Sequence, residues 1–385
     1  MSGLPDLPFD FEARLGKGLS DRKENCLFRF RQTTPSNGVL DLRSNDYLCL
    51  ARDPKVLEAA AGALAMFGAS ASASPLVSGY LSIHKELEGR LAQFHGYPHA
   101  LLMVSGHAAN RSVLGALVGA EDLVLVDRLV HQSILSGVMA SGAKFRRFPH
   151  NDLVALEKIL IDKKNQFRQV FVATESLFSM DGDGPDLVAF SQLRQRFGFV
   201  WILDEAHAIG WHGETGAGKL EEFGVKAAAD IVVGTLGKAL GSQGAYVLAH
   251  NEAIIDHIVN HAGEYIYSTF LSPVAAGAAL GALEQMRLLA NQRRVWQDLS
   301  LQWRSRIRDW GVYMPQDNSP IIPILMGDEK KALEKTKQLA NQGVLVSCVR
   351  PPTVPKGGAR LRVSLNRNLN PSDLERFEKA WGNPG

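Results

Sequence analysis

Five short apolar runs, each ending at a residue suited to chemistry, constrain this chain more than any other feature. ALLMV (100–104) leads into Ser105, Gly106 and His107, and LVLVD (123–127) into a turn that reaches His131. VFVATE (170–175) leads into Ser176, FVWILD (199–204) into His207, and IVVGT (231–235) into Lys238. Between them, near 107–117, 133–141 and 185–197, lie helical stretches. Short apolar runs alternating with helices predict an α/β fold, a mainly parallel sheet covered by helices on both faces. Ala245–Ala249 predicts one more strand.

The flanking stretches complete the expected organisation. Residues 4–24 predict an amphipathic arm or short helix, and Cys26–Gln32 a strand-like patch. A helix is expected from Asp53-Pro54 to about Phe67, and another from Ile83, where Leu87, Leu91 and Phe94 recur at helical spacing. GASASASPLVSGYLSIH (68–84), rich in Gly, Ser and Ala, reads as loop between them. Beyond a helical region over 272–310, runs at 319–327, 343–349 and 359–366 predict the strands of a smaller C-terminal α+β domain. The expected division is an arm over 1–40, a large α/β domain over 41–280 and a small domain over 281–385.

Composition narrows the function classes. At 45% hydrophobic and 21% charged residues the 385-residue chain reads as soluble and globular. A formal charge of +2 gives no electrostatic reason to expect nucleic acid or an anionic membrane as partner. Cys26, Cys49 and Cys348 are isolated, without metal-ligand spacing, which fits a reducing compartment. The start has no basic patch leading into an apolar stretch, and no apolar run reaches the ~18 residues of a membrane span. A cytoplasmic enzyme without a metal is the expectation.

Ligands of an open parallel sheet are expected at the C-terminal ends of its strands, and the reactive residues gather there. No GxGxxG opens the first βα turn and no GxxxxGK[ST] occurs, so dinucleotide and P-loop readings lack support. Asp204 and His207 by themselves fit a metal pair, part of a triad, a cofactor grip, or a helix cap beside a packed histidine. No third ligand stands nearby at metal spacing, and the G-x-S-x-G elbow of a serine hydrolase is absent. Lys238, the one basic residue of VVGTLGKALGSQGA, is either a snorkelling surface lysine or an amine kept partly from water so that it can react. A reactive lysine with an acid at a neighbouring strand end matches the needs of pyridoxal phosphate (PLP), which bonds a lysine and needs an acidic partner for its ring nitrogen. Thr235, three residues before Lys238, could bind the phosphate, as could the amides of Gly106, His107 and Ala108 at a helix start. His131 could lie over the ring.

The segments SNDYLCL (44–50), LVSGYLSIHKELEGRLAQFHG (76–96), SGHAAN (105–110), DRLVHQS (127–133), TESLFSMDGD (174–183), LDEAHAIGWHGETGAG (203–218), GTLGKALGSQGA (234–245), YIYSTFLSP (265–273) and RPPTVPKGGARLRVSL (350–365) span nearly the whole chain. Together they resemble the α-oxoamine synthases, PLP enzymes of fold type I that condense an amino acid with an acyl thioester and release CO2. The resemblance implies that Lys238 carries the cofactor, that Asp204 pairs with its ring nitrogen and that His131 stacks on the ring. It places His207 and Ser179 by the phenolic oxygen, and Thr235 with the Gly106–Ala108 amides on the phosphate. Ser268 and Thr269 would reach the phosphate from a neighbouring subunit, implying a homodimer with shared active sites. Arg362 would clamp the amino acid's carboxylate, with Asn45 and Thr353 on the substrate side. The wording of TESLFSMDGD and RPPTVPKGGARLR favours L-alanine with a pimeloyl thioester over glycine or serine with acetyl or long-chain acyl groups. The thiol carrier would be CoA or an acyl carrier protein. One departure stands out: GASASASP replaces a glycine-dense run, and its β-carbons and Pro75 restrict a loop that relatives leave permissive.

Overall fold

The computed structural model describes residues 9–34, 38–163 and 165–382. Residues 4–8 of the expected arm lie outside these. The central sheet comprises β1 (His99–Met103), β2 (Leu123–Asp127), β3 (Lys144–Phe148), β4 (Val170–Glu175), β5 (Val200–Asp204), β6 (Ile231–Thr235) and β7 (Ala245–Ala249). Its order is β1-β7-β6-β5-β4-β2-β3, with β3, β2, β4, β5 and β6 mutually parallel and β7 antiparallel to both neighbours. Every residue of β2, β4, β6 and β7 is buried, which is why these strands read as unbroken apolar runs rather than alternating ones.

Two strands depart from the sequence reading for physical reasons. β3, KFRRF, is exposed at four of its five residues, so no apolar run announces it. It forms an edge of the sheet, and its Lys and Arg side chains discourage pairing with another chain. β7 reverses because the connection over 236–244 is shorter than the dozen or so residues a parallel crossover needs. Leu236 and Ser242 N–H close that turn on Gly244 O and Leu236 O, each at 2.9 Å. Lys238 is thereby held in a tight turn at the end of β6.

Helices lie where the capping residues ask for them. Asp53 accepts from Lys55 N at 3.0 Å and starts the helix Pro54–Phe67. The helices Ser82–His95, Gly106–Leu117, Gln132–Ser141 and Leu187–Phe197 follow. The expected loop over 68–84 contains a helical turn at Pro75–Gly79. It is also pinned, since Ala73 O accepts from Phe270 N at 2.9 Å and Ala69 O from Ser272 Oγ at 2.7 Å. Gly79 is required there, because a β-carbon would lie 2.1 Å from Ala73 O. Cys26–Gln32 is not a strand. Its Cys26 and Phe28 carbonyls accept from the Arg350 guanidinium, which takes the place a sheet neighbour would have.

The helix Pro273–Leu288 runs through the expected junction at 280 and packs on Pro54–Phe67. Contact is close because Gly277 and Gly281 have no side chain; a β-carbon on Gly277 would lie 2.5 Å from Ala63 Cβ. A second, antiparallel sheet orders as β9-β10-β8, from β8 (Ile321–Gly327), β9 (Ser347–Val349) and β10 (Ala359–Ser364). The single strand expected over 343–349 is split, and Val344–Leu345 instead pairs in parallel with Leu40–Asp41. That pairing, with Ser364 N donating to Leu42 O at 2.8 Å, brings the end of β10 to the segment that carries Asn45 and Tyr47. No helix among the described residues is long and apolar enough to cross a membrane.

Candidate active site

The C-terminal ends of β2, β4, β5 and β6 converge on a cluster of buried polar groups. Asp204 ends β5 and is nearly buried. Its Oδ1 accepts from Ala206 N at 2.9 Å and its Oδ2 from Asn110 Nδ2 at 2.8 Å. Asn110 Nδ2 also donates to Ser133 Oγ at 3.0 Å, and Ser133 Oγ lies 2.7 Å from His131 Nδ1. His131 caps the helix Gln132–Ser141 through its Nδ1, and the residue as a whole stays open to solvent. Loss of solvation lowers its pKa, and the nearby Lys238 and His107 reinforce this against the opposing pull of Asp204.

Lys238 Nζ has no hydrogen bond or ion pair among the described residues. Burial is the main cause that brings its pKa down to about 8, with Arg362 adding to it and Asp204 and Glu175 opposing. An amine in that state is available as a nucleophile or base near neutral pH. Glu175, at the end of β4, is buried and accepts from His131 N at 2.6 Å. Burial first, and the Asp204 charge next, push its carboxyl well above the usual carboxylate range.

On the other side, Arg362 of β10 is almost fully held by protein. Its Nε donates to Ser179 O at 2.6 Å, its Nη1 to Ser364 Oγ at 2.7 Å, and its Nη2 to Asn45 Oδ1 at 3.0 Å and Tyr47 Oη at 3.1 Å. Four of its five N–H groups are therefore engaged. Tyr47 Oη also shares a 2.7 Å hydrogen bond with His207 Nδ1. His207 is held neutral, its pKa driven well down by burial and then by the charges of Lys238 and Arg362, with any positive charge on His131 acting the same way.

An anion cradle opens beside the cluster. Ser105 Oγ caps the helix Gly106–Leu117 by accepting from Ala108 N at 3.1 Å. The Gly106 and His107 amides have no partner among the described residues, and a β-carbon on Gly106 would meet nothing within 4 Å. Two unpartnered amides at a helix start before open space suit a phosphate. The Ala108 amide is already taken by Ser105. Thr235 Oγ1 donates to Gly244 O at 3.1 Å and accepts from Gly237 N at 3.2 Å, so its hydroxyl must turn to reach a phosphate.

The geometry thus brings together Lys238, Asp204, His131, His207, Arg362, Asn45 and Ser179. Thr353 is exposed and accepts from Arg29 Nη2 at 3.0 Å, with no hydrogen bond to the cluster. Ser268 is half-buried and Thr269 exposed, next to Tyr267 at 84% exposure, and neither bonds the cluster among the described residues. Sequence reasoning did not single out Tyr47, Asn110 or Ser133, and it reached Glu175 as a strand-end candidate without a role. Tyr47, Asn110 and Ser133 signal only through their partners in space.

A family model described as aminotransferase class I and II matches residues 37–380. The chain belongs to that family. Among its relatives, an 8-amino-7-oxononanoate synthase of Geobacter sulfurreducens is 41% identical over 350 residues, covering 90% of this chain and 89% of its own. A serine palmitoyltransferase from S. paucimobilis solved with bound PLP–myriocin superimposes with a TM-score of 0.87 at 25% identity, covering 97% of this chain and 98% of that one. The 8-amino-7-oxononanoate synthase of Francisella tularensis gives a TM-score of 0.77 at 28% identity, covering 89% and 96%. The chain is thus a fold type I protein of the α-oxoamine synthase branch. The unpaired amine, the strand-end acid, the histidine beside it and the open amides together fit the cofactor of this family.

Proposed function

We propose that this enzyme joins L-alanine to a pimeloyl thioester with PLP as cofactor, giving 8-amino-7-oxononanoate, CO2 and free thiol. The observation that carries the substrate pair is the 41% identity to a relative of that name over 90% of the chain. Lys238 would attach the cofactor, Asp204 would keep its ring nitrogen protonated, and His131 would lie against its ring. Gly106 and His107 amides, with Thr235, would hold the phosphate. When bound, PLP withdraws the electron pair left at the amino acid's α-carbon.

The chain's own residues do the rest. Lys238 Nζ, with its lowered pKa, takes the proton from alanine Cα and later returns one to the product at the same carbon. Arg362 orients alanine through its carboxylate, exchanging its Asn45 and Tyr47 contacts for the substrate's oxygens in a two-bond fork. His207 stays neutral and, with Ser179, would face the cofactor's phenolic oxygen. A C–C bond forms between alanine Cα and the thioester carbonyl carbon as the C–S bond breaks; the Cα–carboxylate bond then breaks as CO2 leaves. His131 polarises the acyl carbonyl.

The chain is also proposed to act in the cytoplasm as a homodimer, each subunit lending Ser268 and Thr269 to its partner's phosphate site. Their exposure beside Tyr267 supports this. The large domain is proposed to end after Leu288 rather than at 280, because the helix Pro273–Leu288 packs along its length on that domain. The test is thiol release by the PLP-loaded enzyme with L-alanine plus pimeloyl-CoA, pimeloyl carrier protein, glycine plus acetyl-CoA, and serine plus palmitoyl-CoA. Fastest release with alanine and a pimeloyl thioester is expected; a clear preference for either other pair overturns the assignment.

A further inference from the structure

We propose that Asn110 is a positioning residue that locks the Asp204 carboxylate and the His131 ring into a single arrangement through Ser133. The inference rests on the reading that Asp204 and His131 flank the cofactor. Asn110 is 2% exposed on the helix Gly106–Leu117. One Nδ2 hydrogen goes to Asp204 Oδ2 at 2.8 Å, the other to Ser133 Oγ at 3.0 Å. With its oxygen accepting from Asn110, Ser133 donates its own hydroxyl hydrogen to His131 Nδ1 at 2.7 Å. Ser133 N points to the same ring nitrogen at 3.3 Å. His131 Nδ1 is therefore an acceptor, and the neutral ring carries its hydrogen on Nε2.

The orientation of the amide is decided by charge. Asn110 Oδ1 is buried without a hydrogen-bond partner. Turning the amide over would set that oxygen against the Asp204 carboxylate, which repels it, and would draw the Ser133 hydroxyl hydrogen away from His131 Nδ1. The side chain therefore leaves its carbonyl unsatisfied, at a cost in stability, in order to donate twice. The result is a carboxylate fixed from both oxygens, by Ala206 N and by Asn110, and a histidine whose tautomer is tied to that carboxylate. Around His131 the charged and titratable groups are Asp204, Lys238 and the imidazole of His107, with Glu175 accepting from its backbone N–H. Protonating Nδ1 would turn the Ser133 hydroxyl away and set two N–H groups against each other, so the relay opposes the imidazolium.

The experiment is ring-nitrogen NMR of the PLP-loaded, 15N-histidine-labelled enzyme, with His131 assigned by its absence in His131→Asn, together with PLP affinity by equilibrium dialysis. In the wild type His131 shows an unprotonated Nδ1 and a protonated Nε2. Ser133→Ala leaves only the longer backbone N–H contact on Nδ1, so that nitrogen's signal moves toward the protonated form, while the Asn110–Asp204 bond is kept and PLP affinity falls less than in Asn110→Ala. Asn110→Ala loses the bonds to both Asp204 and Ser133, and PLP binds about 10- to 100-fold more weakly, the effect of deleting a hydrogen bond to a charged group. An unchanged His131 tautomer in Ser133→Ala overturns the relay even if Asn110→Ala does not fold. Unaltered PLP affinity in folded Asn110→Ala overturns it too. Failure of the wild type to bind PLP would instead strike the cofactor reading beneath it.

Discussion

Replacing His150 with Gln removes a cation clamped between two carboxylates at the edge of the site. His150 Nδ1 donates to Asp127 Oδ1 at 2.9 Å, and Nε2 to Asp183 Oδ2 at 3.2 Å. The ring also meets Phe178 edge-on at 4.4 Å between centroids, so the clamp anchors the segment that carries Ser179. Burial works against the imidazolium, but the hydrogen bonds and charges of Asp127 and Asp183 outweigh it and raise its pKa to about 10. The unfolded chain returns it to ~6.5. A pKa raised by folding contributes stability that is complete below about pH 6.5 and is lost as the pH climbs toward 10. The full shift corresponds to roughly 5 kcal/mol at ~1.36 kcal/mol per pKa unit. The ring and Asp183 are partly open to water, and screening reduces this to about 2 kcal/mol. At ~2.1 cal/mol/K per residue over the 385-residue chain, that is a difference of about 2–3 °C in melting temperature. Thermal unfolding of wild type and His150→Gln by circular dichroism should show this gap near pH 6.5 and its closure by about pH 10.5. A gap that stays constant over that range would refute the reasoning.

Glu175→Gln should bind PLP almost as well as the wild type, because the carboxyl is already pushed toward its neutral form, whereas Glu175→Ala strands His131 N and should lower the melting temperature by about 2 °C. Thermal shift and PLP dialysis on the pair would check both. Gly106→Ala meets open space, so its folding stability should stay within about 1 kcal/mol of wild type. Its PLP affinity should fall at least ~10-fold as the β-carbon crowds the anion cradle, read by dialysis. Tyr47→Phe deprives both Arg362 and His207 of a buried partner, and kcat/KM for alanine should fall about 10-fold, with steady-state thiol release as the assay.

The parts of the molecule that follow from local chemistry could be read from the chain. Buried strands betray themselves as apolar runs, and four of them deliver Asp204, Glu175, Lys238 and the turn before His131 to one edge of the sheet. Asp53-Pro54 marks its helix because the cap and the fixed proline φ act within a few residues. β3 was hidden because an edge strand of Lys and Arg has no apolar signature. The coil at Cys26–Gln32 depends on Arg350, more than 300 residues away, and no local pattern reports it. The same holds within the site: Asn110 and Ser133 look like ordinary helix residues until folding sets them against Asp204 and His131. Arg362 was legible as a cation near the end of a strand, but its four protein contacts were not.

The covalent role of Lys238 is tested most directly by reducing the PLP-loaded enzyme with borohydride, digesting it and locating the pyridoxyl phosphate label by mass spectrometry. The label is expected on the peptide containing Lys238 and on that residue alone. A label fixed to a different lysine, or a fully active enzyme that takes up none, would contradict the account.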